Sequence, residues 1–200
     1  MLIEAIQTFR VEEMPIEERK FEGEVLVEED LYNIEFNRVE FSKCRFIGCD
    51  FSKAVFREVT FKSCDFSNCI FFESYWKDCK VTESKADGSK FSQTNFHTCI
   101  IDTSSFMYTN CVSTLWDNCK ITESDFTQSF MSEVKFKKIT LKKVNLTSVD
   151  FFKTPLKGID VSDCNITNIM VSDTYKELAG VKMDLFQATE IAKMLGIKVV

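Results

Sequence analysis

Nine cysteines and a single histidine, His97, are the residues with the most chemistry to offer. Thiolates and imidazoles ligate zinc and act as covalent nucleophiles. Cys44, Cys49, Cys64 and Cys69 would form a four-thiolate metal site if they converged. His97 would need an acid and a nucleophile beside it to act as a general base, and none stands at a suitable spacing. The sequence carries no glycine-rich phosphate loop, no Ser/His/Asp arrangement and no ligand-spaced His/Asp cluster. The cysteines follow another rule. Cys44, Cys49, Cys64, Cys69, Cys79, Cys99, Cys119 and Cys164 are separated by multiples of five. Their spacing is that of a repeat, and a buried thiol then serves as a small apolar side chain.

From Phe21 to Val171 every fifth residue is apolar, in a chain that is 44% apolar overall. The series begins Phe21, Leu26, Leu31, Phe36, Phe41 and includes Trp76, Ala86, Cys111 and Trp116. A period of five is neither the 3.6 of a helix nor the 2 of a flat strand, so it predicts a solenoid. Two residues before each large site lies a second selected column. From Ile34 onward it holds only small or β-branched residues, including eight of the cysteines. At a spacing of twenty, like sits over like: Cys79, Cys99 and Cys119, or Ser84, Ser104 and Ser124. That predicts stacked parallel ladders with four five-residue faces per coil. About 7.5 coils at ~4.8 Å make a rod of about 36 Å. The thiols of neighbouring coils have parallel Cβ vectors, which disfavours disulfides. Ala86 beside Gly88 marks the weakest layer, and the corners are expected from Asn, Asp, Ser and Lys.

The net charge of −6 is unevenly spread. Residues 1–40 hold twelve acids against four bases, and the remainder sums to +2. Lys135, Lys137, Lys138, Lys142, Lys143, Lys153 and Lys157 make residues 133–157 basic. No segment reaches membrane-span length and MLIEAIQTFR is not signal-like, so a cytoplasmic, membrane-free protein is expected.

Residues 1–20 read as an irregular cap over the first coil, interrupted at Pro15. The repeat domain is placed at 21–174, although Glu24 and Glu29 occupy small sites in its first coil. The period is lost in residues 175–200. Asp184 and Gln187 suggest a capping box, and Leu185, Ala188, Ile191, Ala192 and Leu195 give one helical face. Gly196 stands where a helix ends, and Ile197, Val199 and Val200 suggest a short strand. A helix of about 11 residues is marginal alone and must pack on the last coil or on another copy.

The two columns resemble the pentapeptide-repeat family over roughly 150 residues. The resemblance implies an all-β solenoid, a right-handed quadrilateral β-helix with a short C-terminal α-helix. The tail resembles that of the Qnr quinolone-resistance family at Gly180, Val181, Lys182, Asp184, Gln187, Ala188, Leu195, Gly196 and Ile197. The unbroken phase is similar to the loop-free relatives. This likeness implies a non-enzymatic, cofactor-free homodimer joined tail to tail, with Leu185, Phe186, Ala188, Ile191, Ala192, Met194, Leu195 and Ile197 at the contact. It further implies a protein that imitates duplex DNA, binds DNA gyrase or topoisomerase IV rather than nucleic acid, and protects or inhibits the enzyme. Two rods span about 70 Å, the length of about 20 base pairs.

Two sets of outward residues are candidate partner contacts. One is acidic: Glu22, Glu28, Asp30, Glu35, Glu40 and Asp50. The other is an apolar stripe of Ile70, Phe72, Val112, Phe130, Phe152 and Met170, which flank large sites of one column. Such a stripe on a rod suggests a protein-binding surface, and it supports an alternative scaffolding role.

Overall fold

The computed structural model describes residues 1–199. The repeat coils into a parallel β-solenoid with four faces. On the first face, seven strands stack from Ile16–Glu17 through Glu35–Asn37 to Lys135–Lys137. On the second, seven strands stack from Lys20–Glu22 to Thr140–Lys142. Each strand pairs with the one twenty residues on, as Phe36 with Phe56 and Phe41 with Phe61. The strand sheets therefore cover six turns. Parallel bridges from Asp30 to Met170 continue the ladder over the fourth face.

The strand faces and the bridge-only faces differ in the residues of one column. Before the large residue, the strand faces carry Glu35, Val55, Tyr75, Thr60 or Ile100. The other faces carry Asp50, Asp65, Asp125 and Asn145. Their side chains accept from the backbone N–H of Ser52, Ser67, Thr127 and Thr147, two residues on. Such Asx turns compete with strand geometry. On the third face only Val25–Val27 and Arg45–Ile47 are strands, and Lys85 and Ser105, which also lack the turn, form single bridges.

The large column fills the coil. Phe51, Phe71 and Phe91 stack at 4.9 and 4.8 Å with nearly parallel rings. Hydroxyls of the small column find backbone acceptors: Ser89 donates to the Phe66 carbonyl at 2.7 Å and Ser129 to the Phe106 carbonyl at 2.8 Å. No buried side-chain polar atom among the described residues lacks a partner. The two tryptophans need a particular neighbour. Trp76 donates its indole N–H to Ser74 at 3.0 Å, and Trp116 donates to Thr114 at 3.0 Å. Beside Ala86, Phe66 and Phe106 reach each other edge-on at 6.3 Å, and a void of only about 10 Å³ remains.

The corners differ from the expected composition. Glu18, Glu58, Glu83, Thr98 and Gln128 take the left-handed conformation as readily as Asn or Lys. Each corner costs about 1–2 kcal/mol for an L-residue. The ladder holds it there, because the corner N–H donates to the next coil, as Glu58 does to the Lys77 carbonyl at 2.9 Å.

The N-terminal segment is a helix rather than an irregular cap: α1 spans Leu2–Glu12. Pro15 follows it, and Ile16 already pairs with Phe36. Leu2 and Ile6 are fully buried over the first coil. The irregular small-site residues of that coil are its anchors. The Glu24 carboxylate accepts the Leu2 N–H at 3.3 Å at the helix start, and Glu29 lies 3.6 Å from Arg10.

At the other end, α2 spans Leu185–Met194 with Asp184 and Gln187 forming the capping box. Gly196 N–H donates to the Lys193 carbonyl and Ile197 N–H to the Ala192 carbonyl, both at 2.9 Å, a Schellman ending. Residues 197–199 form no strand, because the chain leaves this cap without an edge to pair with. Val200, the last residue of the expected strand, lies outside the described residues.

Candidate interaction faces and the C-terminal tail

All nine cysteines are free and buried. Cys44 stacks under Cys64 in one column and Cys49 under Cys69 in another. Among the described residues no three His, Cys, Asp or Glu side chains group as metal ligands. Cys44 and Cys64 donate to the Phe21 and Phe41 carbonyls, both at 3.4 Å, and the neighbouring thiol draws Cys44 down and pushes Cys64 up. Burial pushes Cys111 up to about 12 and Cys164 up to about 11. His97 lies on the first face, 3.8 Å from Asp117 and stacked obliquely near Tyr75, with no nucleophile in this group.

The acidic candidates form a collar, not a stripe. Glu35 lies on the first face, Glu22 and Glu40 on the second, Glu28 at the corner after the third, and Asp30 and Asp50 on the fourth. Three are paired: Glu22 with Lys43 at 3.1 Å, Glu35 with Arg57 at 3.5 Å and Glu40 with Lys20 at 2.9 Å. Asp30 and Asp50 are engaged in Asx turns with the N–H groups of Tyr32 and Ser52. Much of the N-terminal excess of acid is therefore locally compensated.

The apolar candidates share the fourth face, in two adjacent columns. Ile70, Phe130 and Met170 lie on the bridge ladder before the large residue. Phe72, Val112 and Phe152 lie on the column after it. Phe130, Phe152 and Met170 are exposed, and the other three are half-buried. Sequence reasoning missed Tyr32, which heads the second column and is exposed under Lys53, 5.5 Å from the ring centre. It also missed the order of that column, which reads Tyr32, Ser52, Phe72, Ser92, Val112, Ser132, Phe152, Ser172. Large and small alternate without exception, a signal available from spacing forty. Beside Ser172 a cavity of about 340 Å³ opens between Phe152, Pro155, Thr174, Lys176 and Glu177.

The tail divides its candidates. Gln187 is buried and donates to the Val161 and Cys164 carbonyls, both at 2.7 Å. Ile191 and Met194 pack on the core beside it, and the Tyr175 hydroxyl donates to the Met194 carbonyl at 3.1 Å. Leu185, Phe186, Leu195 and Ile197 are exposed, the first two at 78% and 80%. Ala188 is exposed and Ala192 half-buried. The face of α2 that meets the coil is therefore centred on a glutamine, and Leu185 and Ala188 lie off it. The capping box explains the rotation, since Gln187 bonds its own helix start and the last coil at once.

Under the tail lies Glu177, 4% exposed. Burial works against its charge. Hydrogen bonds from its own backbone N–H, the Lys153 N–H and the Ser172 hydroxyl outweigh this and hold the carboxyl below its usual range.

An unbroken period of five closes into four-sided coils of twenty, and residues 16–91 match the pentapeptide repeat region family. The matched stretch is similar to that family's repeat region, and the same period of five continues beyond it to Val171. No curated protein matches it in sequence. Among solved structures it is similar to a trypsin-treated variant of QnrB1, a plasmid-mediated fluoroquinolone resistance protein. That likeness is 20% identity over 94% of this chain and 100% of the other, with a TM-score of 0.44. It is similar to HetL, a pentapeptide repeat protein involved in heterocyst differentiation regulation from the cyanobacterium Nostoc sp. strain PCC 7120. There the identity is 10% over 88% and 92% of the two chains, with a TM-score of 0.42. A third is a pentapeptide repeat protein of the Arabidopsis thaliana thylakoid lumen, at 14% identity over 66% and 67% and a TM-score of 0.25. These likenesses are distant, and the fold of this chain rests on its own columns and ladders. No helix among the described residues is long and apolar enough to cross a membrane.

Proposed function

We propose that this chain is a non-catalytic, Qnr-like protein of the loop-free type that binds bacterial DNA gyrase or topoisomerase IV as a tail-to-tail homodimer, without a cofactor and without contacting nucleic acid. One observation carries the reading. The Qnr-like tail, Gly180 to Ile197, folds as a capped helix locked to the last coil by Gln187, while Leu185 and Phe186 are left bare at the rod's end. The last coil supports one face of this helix, and a second tail of the same kind would cover the two bare apolar side chains on the other. The rod's uniform section and its acidic N-terminal collar suit a channel built for duplex DNA.

The test is gyrase supercoiling titrated with the protein, with and without a quinolone. Rescue in the presence of drug identifies a protector. Inhibition without drug identifies a decoy. No effect in either arm at micromolar protein removes the reading and leaves the scaffold alternative, for which the apolar fourth face is the motive.

A further inference from the structure

We infer that the fourth face is self-complementary and pairs with a second copy of this chain, rods antiparallel, about a two-fold axis lying in the contact plane. The inference is independent of the topoisomerase reading.

It begins with the alternation of large and small side chains after each inward residue of that face. Neighbouring rungs lie about 4.8 Å apart, so the large residues stand as knobs about 9.6 Å apart with serine gaps between them. An antiparallel copy reverses the order of the rungs. Whenever the axis falls between two rungs, every knob meets a gap. Axis positions differ, however, in what they do to the adjacent column. With the axis between the Lys90 and Asn110 rungs, Asp50 would oppose Asp150 of the second copy, a like-charge contact. Moved one rung towards the C-terminus, between the Asn110 and Phe130 rungs, the same column places Ile70 against Met170 and Lys90 against Asp150. In two of the three pairs apolar meets apolar and cation meets anion, and in the central one Asn110 meets Phe130. Lys90 is exposed and has no ion-pair partner among the described residues. Asp150 accepts from the Phe152 N–H at 2.8 Å, which fixes its orientation on the face.

In that register Phe72 comes opposite Ser172. The gap at Ser172 is the cavity of about 340 Å³ already described, ample for one phenyl group. Phe152 comes opposite Ser92, and Val112 opposite Ser132. The acidic first rungs, Asp30 and Asp50, lie outside the paired strip. Six rungs at about 4.8 Å by three residues at about 3.3 Å give roughly 300 Å² per copy. Standard stable interfaces bury at least about 1,200 Å² in total, so this pairing is weak and concentration-dependent, with a dissociation constant between about 10 μM and 1 mM.

Sedimentation equilibrium on the full chain tests it, in a Leu185→Asp/Phe186→Asp background that removes the exposed tail contact while Gln187 still holds α2. A monomer–dimer equilibrium is expected below about 1 mM. Lys90→Asp and Asp150→Lys should each weaken it about fivefold, and the double exchange should restore it, because the pair is merely reversed. Lys90 is exposed, and although Asp150→Lys gives up the bonds from Phe152 and Ser132, the equivalent rungs at Ile70 and Lys90 fold without an acid, so circular dichroism should show both variants folded whether or not the face pairs. Phe72→Ser should abolish dimer formation. A protein that stays monomeric to about 1 mM overturns the inference and leaves the face to a foreign partner. A dimer indifferent to the charge variants, or not restored by the double exchange, overturns it equally.

Discussion

At the residue scale the coil is governed by pairs of sites two residues apart. Trp76 can occupy a large site because Ser74 accepts its indole N–H. Ser74→Ala should leave that donor unpaired in the core and destabilise the protein by about 1–3 kcal/mol in denaturant titration. A neutral result would mean the indole finds another acceptor. Glu177 offers a test by pH. Its folded carboxyl titrates below the unfolded value of 4.5. Its contribution is therefore complete above that pH and is lost as pH falls through the lower folded value. The wild-type advantage over Glu177→Gln should be constant near neutrality and shrink below about pH 4. An advantage that persisted unchanged into strong acid would refute the assignment. The small column was legible as small, but the roles of Glu24 and Glu29 were not. They break the column's rule because they answer α1, and a helix twenty residues away leaves no mark on local periodicity.

At the scale of elements, two helices close a rod whose ends would otherwise present open coil edges. Deleting residues 1–12 uncovers the first coil and unpairs Glu24 and Glu29. The truncated protein should unfold at lower temperature and associate through its bare end, seen as a lower melting midpoint with a larger hydrodynamic radius. A midpoint unchanged from the full chain would show the cap to be ornamental. The helix α2 was readable in advance because capping boxes and glycine endings are local signals, fixed by residues three apart. Its orientation was not. An apolar-face argument chose Leu185 and Ala188, whereas the coil is met by Gln187, whose two bonds to the Val161 and Cys164 carbonyls depend on the geometry of a coil still to be built. The same holds for the strand faces. The period of five gives four equal sides, and the Asx turns at Asp50, Asp65, Asp125 and Asn145 mark the two bridge-only faces without alone deciding them, since Ile70, Lys90 and Phe130 also form only bridges and Asn95 lies in a strand.

At the scale of the whole molecule, each coil touches only its neighbours, so stability should accumulate layer by layer. Removing residues 81–100 joins Lys80 to Ile101 in perfect phase and takes out the thin layer at Ala86. The shortened protein should fold cooperatively, with a denaturant m-value about one tenth lower. Loss of a cooperative transition would show that the layers are not interchangeable. The collar and the stripe were both visible as residue types in the sequence. That the collar is half neutralised, and that the stripe alternates, emerged only when the coils were stacked and neighbours at twenty residues could be read side by side.

The absence of projecting loops also decides how this protein would age in a cell extract. A protease must draw a stretch of extended chain into its cleft, and it finds such chain at loop tips and termini. Here the corner N–H groups of Glu58, Asn68, Thr98 and Gln128 are already committed to the next coil. Digestion is left to the ends, at the hinge around Met14 and Pro15 and in the residues beyond Gly196. Exposed Leu185 and Phe186 then make the tail the segment most readily trimmed. Wear would therefore bare the last coil long before it shortened the rod, and, on the proposed tail-to-tail pairing, would leave particles of the right girth that can no longer join end to end.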